Sequence, residues 1–564
     1  MNFKDYEYIR PNYEENKKDL TNLLDQLEAS TSTQEFLDLF KQINVIRNNI
    51  YTMNTLSSIR HTIDTSDEFY NKETEYWDEV TPLYQVFDTR LAHISLNKSF
   101  VEELKKEIPD TYFKLAECSI KAFDESIIPL LQEENRLSTE YGKLKASAKI
   151  EFDGEVYNLV QIGAKAESTD REYRKAAYDA KVAWLTAHEA EFDRIYDSLV
   201  QVRDKMAKQL GYENYIELGY YRMNRLDYNA DMVANYRKQV LKDVVPSANN
   251  LFKRQAKRLG LDELEYYDLP IKYLNGNATP KGEYEDLINA ASKMYHEMSE
   301  ETGKFIDMMI DNELWDLKSK PNKENGGYCT SLNDFKVPFI FSNFNGTSGD
   351  VDVLTHEAGH AFQSYMSRDI EVPECMWPTM ESCEIHSMSM EFFAHPWMEL
   401  FFKEDANKYR FTHLADALQF IPYGVLVDHF QHEVYAKPNM TPEERKTCWR
   451  TLEKQYNPWK KFDGNPLFEK GCWWYQQSHI FQSPFYYIDY TLAQVCALQF
   501  WVRSYTKDPN TWKDYLHLCT LGGTKSFTQL VKEAGLVSPF EDGCLTKVVN
   551  TVDEYLNSID DTKL

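Results

Sequence analysis

Residues 351–363 read Val351-Asp-Val-Leu-Thr-His356-Glu357-Ala-Gly-His360-Ala-Phe-Gln363. The two histidines are four apart, so on a helix both imidazoles lie on one face and can reach one metal ion. Glu357, one step from His356, can hold a water on that ion. Coincidence is the plain alternative, but the surroundings favour chemistry. The apolar run Val337 to Phe341 reads as a strand, Asn345-Gly346-Thr347-Ser348-Gly349 as its exit turn, and a helix begins near Asp350, the setting a zinc peptidase site requires. Eight of the 13 histidines (356, 360, 386, 395, 413, 429, 432, 479) fall between 356 and 479. For two histidines plus a carboxylate in a tetrahedral site, zinc is the default ion.

A catalytic zinc needs a third protein ligand and an open position. The metzincin pattern asks for Gly three and His six residues after the second histidine; Gln363 and Met366 stand there, which excludes that class. Five carboxylates remain: Glu371 and Glu374, which flank Pro373 in a loop, and Glu381, Glu384 and Glu391 in TMESCEIHSMSMEFFAH. The last three share a helical face by their offsets, and spacing alone does not choose among them. Asp352, four before His356, can accept the second imidazole N–H of that ligand or simply serve as an acidic group in a helix's first turn. His386, two residues from Glu384, points away from it and reads as a core histidine or one that supports a ligand from behind. Asp428-His429-Phe-Gln-His432 could suggest a second metal, but polar helix packing is the favoured reading.

Around this centre the chain is helical. NKKDLTNLLDQLEAS and TSTQEFLDLFKQINVIRNNI carry apolar residues at three- and four-residue steps, the second with an N-cap among Thr31, Ser32 and Thr33 and a capping box from Ser32 to Glu35. Alternation about Asp153-Gly154 predicts a β-hairpin within 145–162. Helix resumes from residue 170 to near Gly211 and again over 284–310, and the chain after Asp350 reads as helix almost to its end. Gly326-Gly327 and Gly522-Gly523 match no phosphate-binding pattern and read as turns. The strand Val337–Phe341 could pair with an extended substrate by strand addition, or pair within a plain hairpin. At 564 residues, three or four domains are expected by length, though large helical enzymes break that rule.

The net charge of −27 disfavours nucleic acid and anionic membranes as partners, and no apolar run approaches a membrane span. Nine scattered cysteines, no CxxC pair and no signal-peptide pattern fit a reduced, cytoplasmic location. Hydrophobic residues at 42% are enough for a large core. Whether acidic walls favour peptides carrying Lys, Arg or a free amino terminus is a question total charge does not answer.

HEAGHAF followed by Glu384-Ile-His-Ser-Met-Ser-Met-Glu391-Phe resembles the oligoendopeptidase F branch of the thimet oligopeptidase family. The resemblance takes in GGYCTSLNDFKVPFIFSNFNG and YRKAAYDAKVAW and covers most of the chain, with only helical pattern in the N-terminal third. In that family the third ligand is a Glu about 25 residues past the second His, with another Glu seven on. The resemblance therefore implies Glu384 as third ligand, with His356 and His360, of one Zn2+ ion. It also implies that His479 and a tyrosine among Tyr486, Tyr487 and Tyr490 line the site, where tyrosine hydroxyls stabilise the oxyanion. The spacing there departs by about one residue from the thimet branch, leaving open which tyrosine does so; core aromatics are the plain alternative. The implied fold is mainly α, a two-lobed helical clamshell with a deep central cleft and a small β element beside the HExxH site. Its lobes are drawn at 1–190 and 191–564. The expected activity is a zinc-dependent endopeptidase for short peptides, with Glu357 as general base towards a zinc-bound water. A zinc carboxypeptidase with the same ligands, or a non-catalytic helical peptide-binding protein, is the alternative. The oligomeric state, monomer or small homo-oligomer, stays open.

Overall fold

Ser32 does start the long N-terminal helix, Thr33–Ile63, its side chain accepting from the Glu35 N–H at 3.3 Å. The return bond of the expected capping box goes to a neighbour instead: Glu35 accepts from the Thr31 N–H at 3.0 Å. The computed structural model describes every residue except Glu167 and Asn325, and the backbone alone of Asp78, Pro82, Glu125, Thr139, Ala146, Val160 and Ala164. It is 70% helix and 5% strand, so the fold class is mainly α. Among the described residues, no helix is long and apolar enough to cross a membrane.

The chain forms two compact units, and each takes three segments. One comprises Met1–Ile120, Thr279–Ala406 and Gln499–Val537; the other Lys121–Ala278, Asn407–Leu498 and Ser538–Leu564. The units therefore interleave along the chain, where the sequence reading draws a single linear boundary near residue 190. A linear reading has no access to contacts that join distant segments.

In the first unit, a core of Leu20, Leu24, Leu27, Phe36, Phe40, Tyr112 and Phe113 from the N-terminal helices also takes in Val372 and Cys375. The N-terminal third thus packs directly on the loop that follows the HExxH helix, Gly349–Ser367. Arg47 reinforces this contact, with Glu374 at 2.5 Å and Asp88 at 2.7 Å. The β element is larger than expected. Strand β3 (Trp315–Lys318) runs parallel to β5 (Val337–Phe344), and β4 (Tyr328–Leu332) runs antiparallel to β5 on its other side. β3 and β4 are too short and mixed to register as period-two strands. Their presence overturns one expectation. β5 is the central strand: β4 pairs with it over Val337–Phe341 on one edge and β3 from Ile340 to Phe344 on the other, so it is not the free edge strand that substrate addition asks for. Its exit turn is tied to the next helix by Asp350, which accepts from the Asn345 and Gly346 N–H groups at 2.9 and 2.8 Å.

The second unit contains the expected hairpin, β1 (Ile150–Phe152) and β2 (Glu155–Tyr157). Asp153 and Gly154 both have positive φ, 52° and 79°, as a two-residue hairpin turn with right-handed strand twist requires. Helices Ile128–Ala146 and Glu189–Gln209 are joined by fully buried Arg203, which donates to Glu134 at 2.6 Å, the Tyr435 hydroxyl at 2.9 Å and the Phe481 carbonyl at 2.6 Å.

Candidate metal centre

The HExxH helix crosses the glutamate helix, Met380–Phe393, at very short range. The reason is Gly359, inside the motif. A Cβ there would lie 2.7 Å from Ser387 Cα, 2.8 Å from the His386 carbonyl and 3.0 Å from Met390 Cβ. Only hydrogen at this position lets the two backbones approach so closely. The crossing brings one turn of each helix together. Glu384 Oε2 sits 3.3 Å from His356 Nε2 and 3.5 Å from His360 Nε2, and the imidazoles face each other edge-on at 5.1 Å. One donor atom from each of His356, His360 and Glu384 lies within 4.8 Å of the others.

The other carboxylates are engaged elsewhere. Glu371 is exposed and pairs with Lys41 at 3.1 Å; Glu374 holds Arg47; buried Glu381 accepts from the Thr379 hydroxyl at 2.9 Å. Glu391 lies two turns further along the same face of this helix and meets His356 Nδ1 at 2.5 Å. The second N–H of this imidazole is therefore held by Glu391, where the sequence reading had offered Asp352. That contact fixes the ring so that Nε2 points at Glu384. Ser387 donates to Glu384 Oε2 at 3.0 Å and restrains the carboxylate.

The electrostatics favour a cation. Burial would raise the Glu384 carboxyl, but His360 and His356 outweigh it and hold the group well below the ordinary carboxylate range. Burial would likewise disfavour a charged His356, yet Glu384 and Glu391 push its ring well above the ordinary histidine value. Two imidazole nitrogens and a carboxylate oxygen, in a pocket that draws positive charge, fit a zinc ion by donor type and number.

His386 is buried, donates from Nδ1 to the Ser382 carbonyl at 2.8 Å, and belongs to the core as expected. Its own carbonyl accepts from the Tyr515 hydroxyl at 2.8 Å, pinning the glutamate helix from behind. The Gly522-Gly523 turn pins the loop before that helix. Gly522 has φ +48° and abuts the Cys375 and Met376 carbonyls, while the Gly523 N–H donates to the Cys375 carbonyl at 2.8 Å. Sequence reading identified this pair as a turn but had no signal for the partner it clamps.

The second constellation lies in the other unit. His479 packs with Tyr486, Tyr487 and Tyr490 at ring distances of 5.6, 4.9 and 5.9 Å. The Gln477 amide donates to His479 Nδ1 at 2.8 Å and accepts from the Tyr423 hydroxyl at 2.8 Å, which leaves the ring proton on Nε2. Burial, and then the Lys145 charge, lower the His479 pKa below the ordinary histidine value. Phe485, just before the tyrosines, has φ 67°, a conformation costly for a bulky residue. It is held there by Arg225, which donates to the Phe485 carbonyl at 2.6 Å and to Asp489 at 2.7 Å, and by the Gln431 side chain.

The pair His429 and His432 forms no second metal centre. His429 bonds the Tyr456 hydroxyl at 3.0 Å, and His432 lies in a buried network with Asp428, Arg237 and Tyr220. A further acidic group, Glu189, Asp193 and Glu443, already holds a cation: the Lys446 ammonium sits 2.6, 2.8 and 2.8 Å from the three.

A family profile described as peptidase family M3 matches residues 164–549, and one described as the peptidase M3 N-terminal domain matches residues 3–123. The chain belongs to peptidase family M3. The members of this family are metallopeptidases, so the protein is an enzyme of that kind. A solved structure of PZ peptidase A with an inhibitor is 51% identical, covers 99% of this chain and 100% of that one, and superimposes with a TM-score of 0.93. An oligoendopeptidase F homolog from Borreliella burgdorferi is 24% identical over 51% of this chain and 49% of its own length, so the chain spans about half of that relative. Oligopeptidase PepF of Bacillus subtilis is 21% identical over 87% of this chain and 76% of its own length.

Proposed function

We propose that this M3 peptidase is a zinc-dependent endopeptidase that hydrolyses internal bonds of short oligopeptides. The observation that carries the reading is the convergence of His356, His360 and Glu384 Oε2, with Glu357 next in sequence to the first of them. Zinc bound by these three residues would supply a Lewis acid that polarises the scissile carbonyl and makes water nucleophilic near neutral pH. Glu391 keeps His356 oriented and its basicity high through the 2.5 Å contact. Glu357 takes the proton of the attacking water and passes it to the leaving amine. A phenol of Tyr486, Tyr487 or Tyr490, together with the Nε2–H of His479, donates to the developing oxyanion; the resemblance to the family supports this role. The restriction to short peptides rests on the same resemblance and on the oligopeptidase names of the curated relatives. A cytoplasmic location belongs to the same reading and is supported by nine unbridged cysteines.

The test is metal analysis together with hydrolysis of internally quenched peptides by the wild type and Glu357→Gln. One zinc per chain in both and turnover only in the wild type is the expected result. Zinc binding with no cleavage of any peptide by either protein would leave a non-catalytic binding protein. Cleavage abolished by blocking the peptide's C-terminus would indicate a carboxypeptidase. The third ligand is tested by Glu384→Ala against Glu381→Ala: zinc loss in the second alone would refute the assignment.

A further inference from the structure

Tyr423 lies on the long helix Ala406–Ala436, between Pro422 and Gly424. Gly424 lets the helix Tyr487–Tyr505 come close: a Cβ there would lie 2.3 Å from Thr491 Cγ2 and 3.6 Å from Tyr487 Cδ1. The Tyr423 ring meets that of Tyr487 edge-on at 5.9 Å, and its hydroxyl donates to Gln477 Oε1 at 2.8 Å. The other end of the same amide, Nε2, stands 2.8 Å from His479 Nδ1. The segment that carries both residues is held on the protein: Lys145 donates to the Gln476 carbonyl at 3.2 Å and the Ser478 hydroxyl at 2.9 Å, and Tyr141 to the Tyr475 carbonyl at 2.9 Å.

An amide has one accepting and one donating end, so a phenol that takes the oxygen leaves the NH2 for the imidazole. The NH2 only donates, Nδ1 must accept, and a neutral ring then carries its proton on Nε2. Without the phenol either end of Gln477 would satisfy Nδ1, and the tautomer would be free. Only a neutral ring has a tautomer to choose, and the lowered His479 pKa widens the range in which it is neutral. The titratable groups against this ring are Lys145, Tyr486, Tyr487 and Tyr490. Hydrogen bonds that served the turn alone would not depend on which nitrogen holds the proton, and this separates the two roles.

We propose that Tyr423 and Gln477 are positioning residues that lock His479 in the Nε2–H tautomer, the form that can donate to the oxyanion. The inference rests on the peptidase reading above, in which His479 donates to the reacting carbonyl oxygen. Tyr423 and Gln477 act through the ring and need not touch the peptide. With its proton on Nδ1 the ring would turn a lone pair towards the developing negative charge. That donor is lost in the transition state alone, so the effect falls on kcat and not on KM.

The experiment is Gln477→Glu in the full-length zinc-loaded enzyme. The carboxylate has nearly the same shape but only accepts, so it draws the proton to Nδ1. The ring then donates from Nε2 only as the imidazolium. Relative to wild type, kcat should be near normal at about pH 6 and fall roughly 100-fold by about pH 9, the scale of one lost oxyanion donor, with KM unchanged. His479→Ala gives the full size of this contribution. Tyr423→Phe frees the amide and should lower kcat by up to about tenfold, the scale of one hydrogen bond. In 15N spectra of histidine-labelled protein, the His479 signal is the one lost in His479→Ala. It should show Nε2–H in the wild type and Nδ1–H in Gln477→Glu at alkaline pH. Nδ1–H in the wild type, or a neutral ring still carrying Nε2–H in Gln477→Glu, overturns the lock whatever the rates. A reversed tautomer with wild-type kcat at every pH supports the lock and instead overturns the oxyanion role of His479. If Gln477→Glu does not fold, Tyr423→Phe decides: a second tautomer supports the lock, and an unchanged spectrum and kcat refute it.

Discussion

Gly359→Ala adds one methyl group to a residue that binds nothing, and should damage the metal centre more than the fold. The new Cβ would sit 2.7 Å from Ser387 Cα, where ordinary contact begins at 3.4 Å, so the helices must separate by about 0.7 Å. The nearest obstacles are Ser387 Cα and the His386 carbonyl, both backbone, so no rotamer change relieves the clash. Overpacking of this kind costs about 1–3 kcal/mol of stability. The separation also moves Glu384 and Glu391 away from His356 and His360, and a displacement of this size exceeds the ~0.5 Å tolerance of a preorganised site. Zinc affinity should fall roughly 10- to 100-fold, the range seen when groups supporting metal ligands are lost, and kcat/KM should fall by up to about 100-fold. Competition with a fluorescent chelator measures the first, quenched-peptide kinetics at saturating zinc the second, and circular dichroism checks the helix content. Wild-type zinc affinity and kcat/KM in a folded Gly359→Ala protein would refute the argument that this crossing sets the ligand geometry.

Glu391→Gln should keep the shape of the glutamate helix while removing the charge on His356 Nδ1; zinc binding weakens about 10-fold or more, read by the same competition assay. Chelator dialysis should abolish cleavage and lower Tm, and stoichiometric zinc should restore both. Arg225→Met leaves Asp489 buried without its cation and loosens the turn at Phe485, so denaturant unfolding should show a loss of about 3–5 kcal/mol. Burial would raise Asp428, but His432 and Arg237 outweigh it and lower its carboxyl to about 2. A carboxyl depressed in the folded state contributes stability above its unfolded pKa and loses it as pH falls through the folded one. Asp428→Asn should therefore flatten the acid limb of the stability curve between about pH 4 and pH 2, measured by chemical unfolding across pH.

Much of the centre was legible because its information is local. Four-residue spacing puts His356 and His360 on one helical face whatever the rest of the chain does, and Asp153-Gly154 with flanking alternation specifies a hairpin in the same way. The capping bond from Ser32 to Glu35 was legible for that reason also. β3 and β4 were not, because strands of four and five residues acquire their identity from pairing with β5. Nor was the interleaving of the two units, which follows from which apolar faces meet.

By itself, then, the sequence determined a helical chain, a two-histidine metal face and a short set of candidate carboxylates. Only the tertiary structure decided that Glu384 reaches both imidazoles and that Glu391 holds His356. The physical reason is the same in each case. Periodicity specifies the direction in which a side chain leaves its own helix, whereas the neighbour it meets depends on how closely two helices approach, and at the metal centre a missing Cβ at Gly359 sets that distance.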